Sequence, residues 1–504
     1  MEVHMRSSLF LRVSLFLAVV LSMSNLYAQR TVNVDPGFGT LNAAILGDTT
    51  AAGLPVDTNT VYLLQKGGLY ILDGELANKF RVSLAATGSG ERPRIILGVP
   101  SGGTTPDQAI RPYANFYAKG LYISAKDELG GSGLRIIRAQ ASGIHVEIND
   151  CVLDIAGQAA YRIDAKNSSF IIKNSIVSNI GSMTSPDNGR VFDDRGNAID
   201  SLIAVNNTFY NITSKVIRDG GGVINYAKFD HNTMVNIGQK GCEIGEANTI
   251  VFTNNLFVNP VFIGTANVAV TALTLKAATT QGVTQTAVIR NNNIFTDSGL
   301  INAYPDSVKL ATAFDSISTA FITAGGWAST NISEALTFTN GPATPVASIQ
   351  AYWADPSGTQ VELDTAGHEQ FNFAYANSYA SFSGSMSGQP LGAVNWFGQT
   401  LGVGSSNSNF IPELYSLSQN FPNPFNPETQ ISFTLSHSAP VRLAIYNSLG
   451  QEIKVLVNDV RSSGTNSVRW NGTNDAGQKV GSGFYFYRLS SDRFTETRKM
   501  LLIK

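Results

Sequence analysis

Six short segments built on asparagine recur through the middle of this chain and limit what it can fold into. They are Asn149-Asp150-Cys151-Val152, Lys173-Asn174-Ser175-Ile176, Asn206-Asn207-Thr208-Phe209, His231-Asn232-Thr233-Met234, Asn254-Asn255-Leu256-Phe257 and Asn292-Asn293-Ile294-Phe295. Each follows a short apolar run such as Phe170-Ile171-Ile172 or Ile250-Val251-Phe252. Counted on the second residue of each segment, the repeat returns after 24, 33, 25, 23 and 38 residues. A period in the low twenties with occasional insertions marks a solenoid.

The physics of that period favours an all-β fold, a right-handed parallel β-helix. A coil of about 23 residues holds three strands of four to five residues and three bends. The bend needs a residue that tolerates left-handed backbone geometry, and asparagine is that residue where glycine is not used. Stacked coils place asparagine over asparagine at about 4.8 Å, so their amides bond along the stack. The apolar residues on both sides of the bend then build one continuous core. Composition agrees. Only 14% of residues are charged while 43% are hydrophobic, which excludes disorder for most of the chain. The place of charge is taken by polar and small residues, including 42 Asn and 47 Gly, which excludes long helices.

Leu41, Ala44 and Ile45 share one face of a short helix, placed to plug the open end of the core. Strands are expected at Val61–Leu64, Leu69–Leu72, Phe80–Leu84 and Arg94–Leu97. In residues 299–401 the asparagine signature disappears, and irregular terminal coils with loops are expected. Residues 402–413, which include the run GVGSSNSN, read as a flexible linker.

The first 28 residues read as a secretory signal. Arg6 and Arg12 supply the positive region, Leu15 to Leu21 the apolar stretch, and Leu26-Tyr27-Ala28 the small residue before a cut between Ala28 and Gln29. No later segment approaches the length of a membrane span, so no transmembrane segment is expected in the mature chain. Residues 29–410 hold 23 basic and 29 acidic residues, a net charge of −6, which argues against nucleic acid as a partner. Cys151 and Cys242 fall at different places in their repeats and are not expected to face each other.

From Leu414 the pattern changes. Short strands at Ile431–Leu435, Val441–Tyr446, Glu452–Leu456, Ser467–Trp470 and Phe484–Leu489, separated by glycine-bearing turns, indicate a small immunoglobulin-like β-sandwich over 414–504. Several motifs stand here in order: QNFPNPFNP from Gln419, YNSLGQ from Tyr446, Trp470-Asn471-Gly472, GFYFY from Gly483, and the terminal Arg498-Lys499-Met500-Leu501-Leu502-Ile503-Lys504. The segment resembles the type A C-terminal sorting domain of the type IX secretion system. The resemblance implies export by that machinery, via the periplasm, to the surface or surroundings of a Gram-negative bacterium. It also implies removal of the domain by a sortase-like protease.

Residues 31–400 look like the parallel β-helix group that includes pectate lyases and the chondroitinase B and alginate lyase family. That likeness rests on the fold-level pattern and implies a polysaccharide partner. A lyase acting on an acidic sugar needs positive charge or calcium on the substrate carboxylate, and a base to take the adjacent proton. Lys215, Arg218, Lys240 and His231 are the catalytic candidates. Arg190, Arg195, Asp193 and Asp194, in the longest of the early coils, are candidates for substrate binding. Asp219, Glu243 and Glu246 are candidates for calcium, which needs several converging oxygens. The chain departs from the chondroitinase-type pattern in having no Arg-His-Gly. His145 and His368 stand alone, and Tyr210, Tyr226 and Phe229 are either core residues or sugar-stacking rings. A monomer is expected. Three functions stay open: a lyase or hydrolase, a non-catalytic glycan-binding surface protein, and a purely structural one.

Overall fold

A computed structural model of the chain describes residues 30–401, apart from 101–102, 183–184, 219, 267–269, 304–307, 310 and 356–369. It also describes residues 415–503, apart from 418–419, 421, 436–438, 448–450, 463 and 492–494. The signal segment, the linker and His368 lie outside the described residues.

Three long parallel sheets of ten, ten and nine strands wrap around one core, and each coil contributes one strand to each sheet. One coil shows the pattern: Ile199–Val205 on the first face, Thr208–Ile212 on the second and Lys215–Arg218 on the third. Strand-to-strand register is set by side chains that point inward. On the first face Ile148, Ile172, Ala204, Phe229, Phe252 and Ile289 stack coil upon coil. On the second, Leu153, Val177, Phe209, Met234 and Phe257 do the same. Tyr161, Phe192, Ile217, Cys242 and Leu273 form the third column. All of these are buried. Each large apolar side chain withdrawn from water contributes about 1.5–3 kcal/mol, so the continuous core is what holds the coils together. Cys151 and Cys242 are both buried and free.

The bend between the first and second faces explains the asparagine segments and corrects their alignment. The residues in left-handed geometry are Asp150, Asn174, Asn206, His231, Asn254 and Asn291, with φ of 50–58°. The next residue points inward, and there Asn207, Asn232, Asn255 and Asn292 form a ladder that Asn331, after the short Ala328–Thr330 turn, extends. Each Nδ2 donates to the Oδ1 one coil further on, at 2.9–3.1 Å. Counting on the second residue of each segment therefore mixes three positions, because Asn174 sits on the bend, Asn207 in the ladder and Asn293 already in the next strand. A second ladder runs five residues later. Asn179, Asn211, Asn236 and Asn259 take left-handed geometry before the third face. Their amides also bond from coil to coil, at 3.1–3.4 Å. The bend there is so close that a Cβ on Gly238 would lie 1.7 Å from the Thr213 carbonyl oxygen.

Both ends of the core are capped by helices. Thr40–Gly47 buries Leu41 and Ile45 at the start, as the sequence predicts. Ser316–Ala324 closes the far end with Ile322, and the Asp315 side chain caps it by accepting from the Ser318 amide. Beyond that helix the chain differs from the expected terminal coils. Residues 370–400 double back as a strap across the outside of the second face. Phe373 and Tyr375 pack there on Tyr210, Val235, Leu256 and Val258. Strap amides of Gly392, Ala393 and Val394 donate to the Asn254 carbonyl, Thr233 Oγ1 and Asn206 Oδ1 at 2.7–2.9 Å.

The C-terminal unit is a sandwich of antiparallel sheets with three and four strands. Its core holds Phe433, Leu443, Trp470, Tyr487, Met500 and Leu502. The terminal motif forms most of its last strand, Thr495–Leu502. Among the described residues, no helix is long and apolar enough to cross a membrane.

Candidate functional site

On the third face two consecutive apolar residues, such as Ile136-Ile137, Val191-Phe192 and Val216-Ile217, are buried in the core, and the polar residues flanking them share the outer surface. In Arg135–Ala139, Ala159–Ile163, Arg190–Asp193 and Lys215–Arg218 the outward positions are largely basic. Register aligns Arg138 with Arg162, Arg162 with Asp193, and Asp193 with Arg218, forming one column. Arg190 sits beside Lys215 in a second column. The rungs repeat at about 4.8 Å.

The ion pairs on this face are unequal in number. Asp164 serves Arg138 at 2.7 Å and Arg162 at 3.0 Å. Asp193 lies 3.2 Å from Arg218, 3.6 Å from Arg190 and 3.9 Å from Arg195. Glu243 accepts from Lys215 at 2.7 Å and from Lys240 at 2.8 Å. Seven cations thus share three carboxylates, on a body whose net charge is −6. The Nε–H groups of Arg135 and Arg190 find no partner among the described residues.

Burial shapes the protonation of these groups. It works against ionisation of Glu243, but the two lysine bonds overcome it and hold the carboxyl below its ordinary range. Burial also pulls the Lys215 amine below its ordinary value, and the bond to Glu243 opposes that pull. Arg190 is lowered chiefly by burial as well. For Asp164, burial is outweighed by the guanidinium groups of Arg138 and Arg162, and the net shift is downward.

The fold brings Arg190, Asp193, Lys215, Arg218, Lys240 and Glu243 together on the third face, and Arg195 reaches it from the following turn. Other candidates lie elsewhere. Asp194 is buried and caps its own turn, accepting from the Gly196 amide. His231 occupies the bend after the first face, 3.0 Å from Asp230, because its position is the left-handed one. Glu246 accepts from Thr279 Oγ1 at 2.5 Å and the Thr280 amide at 2.9 Å, bonds that draw its pKa down to about 2. Asp219 lies outside the described residues. Glu243 is engaged by two lysines and Glu246 by a loop, so the expected calcium oxygens do not converge. No group of three or more His, Cys, Asp or Glu side chains among the described residues is arranged to hold a metal.

His145 does not stand alone: its Nε2 is 3.3 Å from Glu147 and its ring packs on Tyr117. Tyr210, Tyr226 and Phe229 are buried, which excludes them as exposed stacking rings. The sequence reading missed Arg138, Arg162 and Asp164. Their signal is charge set beside buried apolar residues in the coils preceding the longest one, Arg-Ile-Ile-Arg from Arg135 and Tyr-Arg-Ile-Asp from Tyr161.

Comparison with known proteins bears on both units. The FlgD Ig-like domain family matches residues 420–493. A search of curated proteins finds no match. Among solved structures, the PL6-family alginate lyase AlyGC is similar over 53% of this chain and 40% of its own, at 14% identity and a TM-score of 0.33. Dimeric latent PorU from Porphyromonas gingivalis aligns with 19% of this chain and 10% of its own, at 20% identity and a TM-score of 0.16. PorZ from Porphyromonas gingivalis, a surface component of the type IX secretion system, aligns with 17% and 11%, at 19% identity and a TM-score of 0.14. The chain therefore spans less than half the length of each of these structures.

Proposed function

We propose that this is a secreted or cell-surface β-helix protein that binds an acidic polysaccharide along its third face. The observation that carries the reading is the sharing of three carboxylates by seven cations on a body that is otherwise acidic. A flat guanidinium donates two parallel hydrogen bonds to a carboxylate, and arginines repeated at the strand spacing suit carboxylates repeated along a polymer. Steering by such a face weakens with salt. Export by type IX machinery, with the C-terminal sandwich as the sorting signal, is the matching route. The motifs from Gln419 to Lys504 support it.

One observation favours catalysis as a second reading. Lys215 is mostly buried and its amine is drawn below the ordinary value, which suits a group that must take a proton. In that reading neighbouring arginines hold the sugar carboxylate, and the neutral Lys215 amine takes the proton from the carbon beside it. That electron pair forms the C=C bond as the glycosidic C–O bond breaks, and the departing oxygen takes a proton from water.

The test incubates the protein with polyuronates and with neutral glycans of equal length. Binding of polyuronates alone, falling with salt and with the Arg162→Gln and Arg218→Gln changes, is expected. Equal binding of neutral chains overturns the reading. Unsaturated products that vanish in Lys215→Ala establish the lyase.

A further inference from the structure

A cleft of about 450 Å³ opens where the strap ends over the earlier coils, on the second face rather than on the third face that carries the charged columns. That volume falls in the range of small-molecule sites, about 300–1,000 Å³. Val152 and Ile176 supply apolar lining from the second face, and Phe371 and Trp396 supply aromatic walls from the strap. Lys66, Arg92 and Arg94 bring three cations to its rim, against the two carboxylates of Glu91 and Asp150.

The cations are not equivalent. Arg92 is committed: its Nη2 lies 2.7 Å from Asp150 Oδ1, and its Nη1 donates to the Asp150 carbonyl. Arg94 is exposed and its guanidinium sits over the Tyr122 ring, 4.3 Å from its centroid. That ring is fixed from below, because the Tyr122 hydroxyl donates to Asp154 at 2.8 Å. The Arg94 guanidinium makes no hydrogen bond or ion pair among the described residues, so its N–H groups are unspent, while its backbone amide is held by the Gly68 carbonyl at 2.9 Å. The aromatic wall is equally fixed. Trp396 Nε1 donates to Thr208 Oγ1 at 2.7 Å, and its ring packs on Phe373 at 5.2 Å. Groups held in place before a ligand arrives lose little freedom on binding it.

We propose that this cleft is a second binding site, and that it takes a single sugar residue bearing a carboxylate. Arg94 receives the carboxylate as a planar, bidentate donor. Lys66 adds a further positive charge. Trp396 and Phe371 take the apolar face of the pyranose ring, as aromatic rings do with flat, part-apolar ligands. The inference stands on the cleft alone and does not require the third face to bind anything.

Titration of the full chain with D-glucuronate and with D-glucose, followed by saturation-transfer NMR, tests it. Glucuronate is expected to bind saturably and about tenfold more tightly than glucose. Arg94→Gln is expected to remove that preference, and Trp396→Phe to weaken both sugars. The third-face pair Arg162→Gln and Arg218→Gln should leave the preference intact. Equal binding of the two sugars, an unchanged preference in Arg94→Gln, or its loss only in the third-face pair overturns the proposal. The last result would still support a glycan on the third face.

Discussion

Lys215 Nζ lies 2.7 Å from Glu243 Oε2, one coil further along the same face. Both are largely shielded, and Glu243 also holds Lys240. The carboxylate is therefore a brake on the face: it occupies two of the cations that a polyanion would use. Glu243→Gln is expected to tighten polyuronate binding several-fold and steepen its salt dependence, while Lys215→Ala weakens it. Titrations at two ionic strengths check the pair, and a weakened Glu243→Gln would oppose the reading.

The inner asparagine ladder makes a stability prediction. Asn232 donates to the Ala204 carbonyl and to Asn255, and its Oδ1 accepts from the amide and side chain of Asn207. Removing it strands buried partners, each at about 1–3 kcal/mol. Asn232→Ala should cost about 2–5 kcal/mol in denaturant unfolding. Asn248→Ala, whose side chain bonds Asn225 at the surface, should cost under about 1 kcal/mol.

Acid should loosen the bend at Asp230. Burial disfavours its charge, but His231 and Lys228, with bonds from Thr253 and Asn254, hold its pKa far below the ordinary value of about 3.9. The folded-state pKa is the lower one, so the unfolded chain takes up this proton first. The stabilisation is complete above about pH 4 to 5 and is lost progressively as pH falls toward the folded value. Denaturant curves from pH 7 to pH 3 should show a shallower acid decline in Asp230→Asn than in the wild type.

The strap should open as a unit of its own, separable from the coils. Phe373 is buried against Tyr210, Phe338 and Trp396. Phe373→Ala is expected to cost about 3–5 kcal/mol and to open residues 370–400 to protease before the coils unfold. Coils and strap cut at the same rate would count against a separable strap.

Deleting Arg498 to Lys504 tests the export route. The deletion removes Met500 and Leu502 from the sandwich core, along with most of the last strand. The truncated protein is expected to accumulate in the periplasm, read by fractionation. Normal surface display of that mutant would sink the sorting proposal.

Much of this architecture was legible because repetition amplifies weak local signals. The bends at Asn174, Asn206 and Asn254 announced the period, and Leu41 with Ile45 announced the cap. The register slipped by one because runs such as Asn206-Asn207 and Asn291-Asn292-Asn293 place the same residue type at neighbouring positions with different jobs. The second ladder was readable in principle, since Asn179, Asn211, Asn236 and Asn259 each follow a left-handed bend residue by five. The strap was not, because its partners are remote: Val394 bonds to Asn206 across 188 residues. For the site, counting coils gathered Arg190, Lys215, Arg218 and Glu243. Counting alone does not say which face a residue takes, so His231 and Glu246 fell elsewhere.

The strap also bears on how this molecule would answer to pulling. A bare solenoid gives way from its end, one coil after another, because each coil leans only on its neighbours. Here a single returning segment is tied to Thr208, Thr233, Asn254 and Asn293, on four successive coils. Tension on the last coil is shared by all four at once, so the end cannot peel away rung by rung.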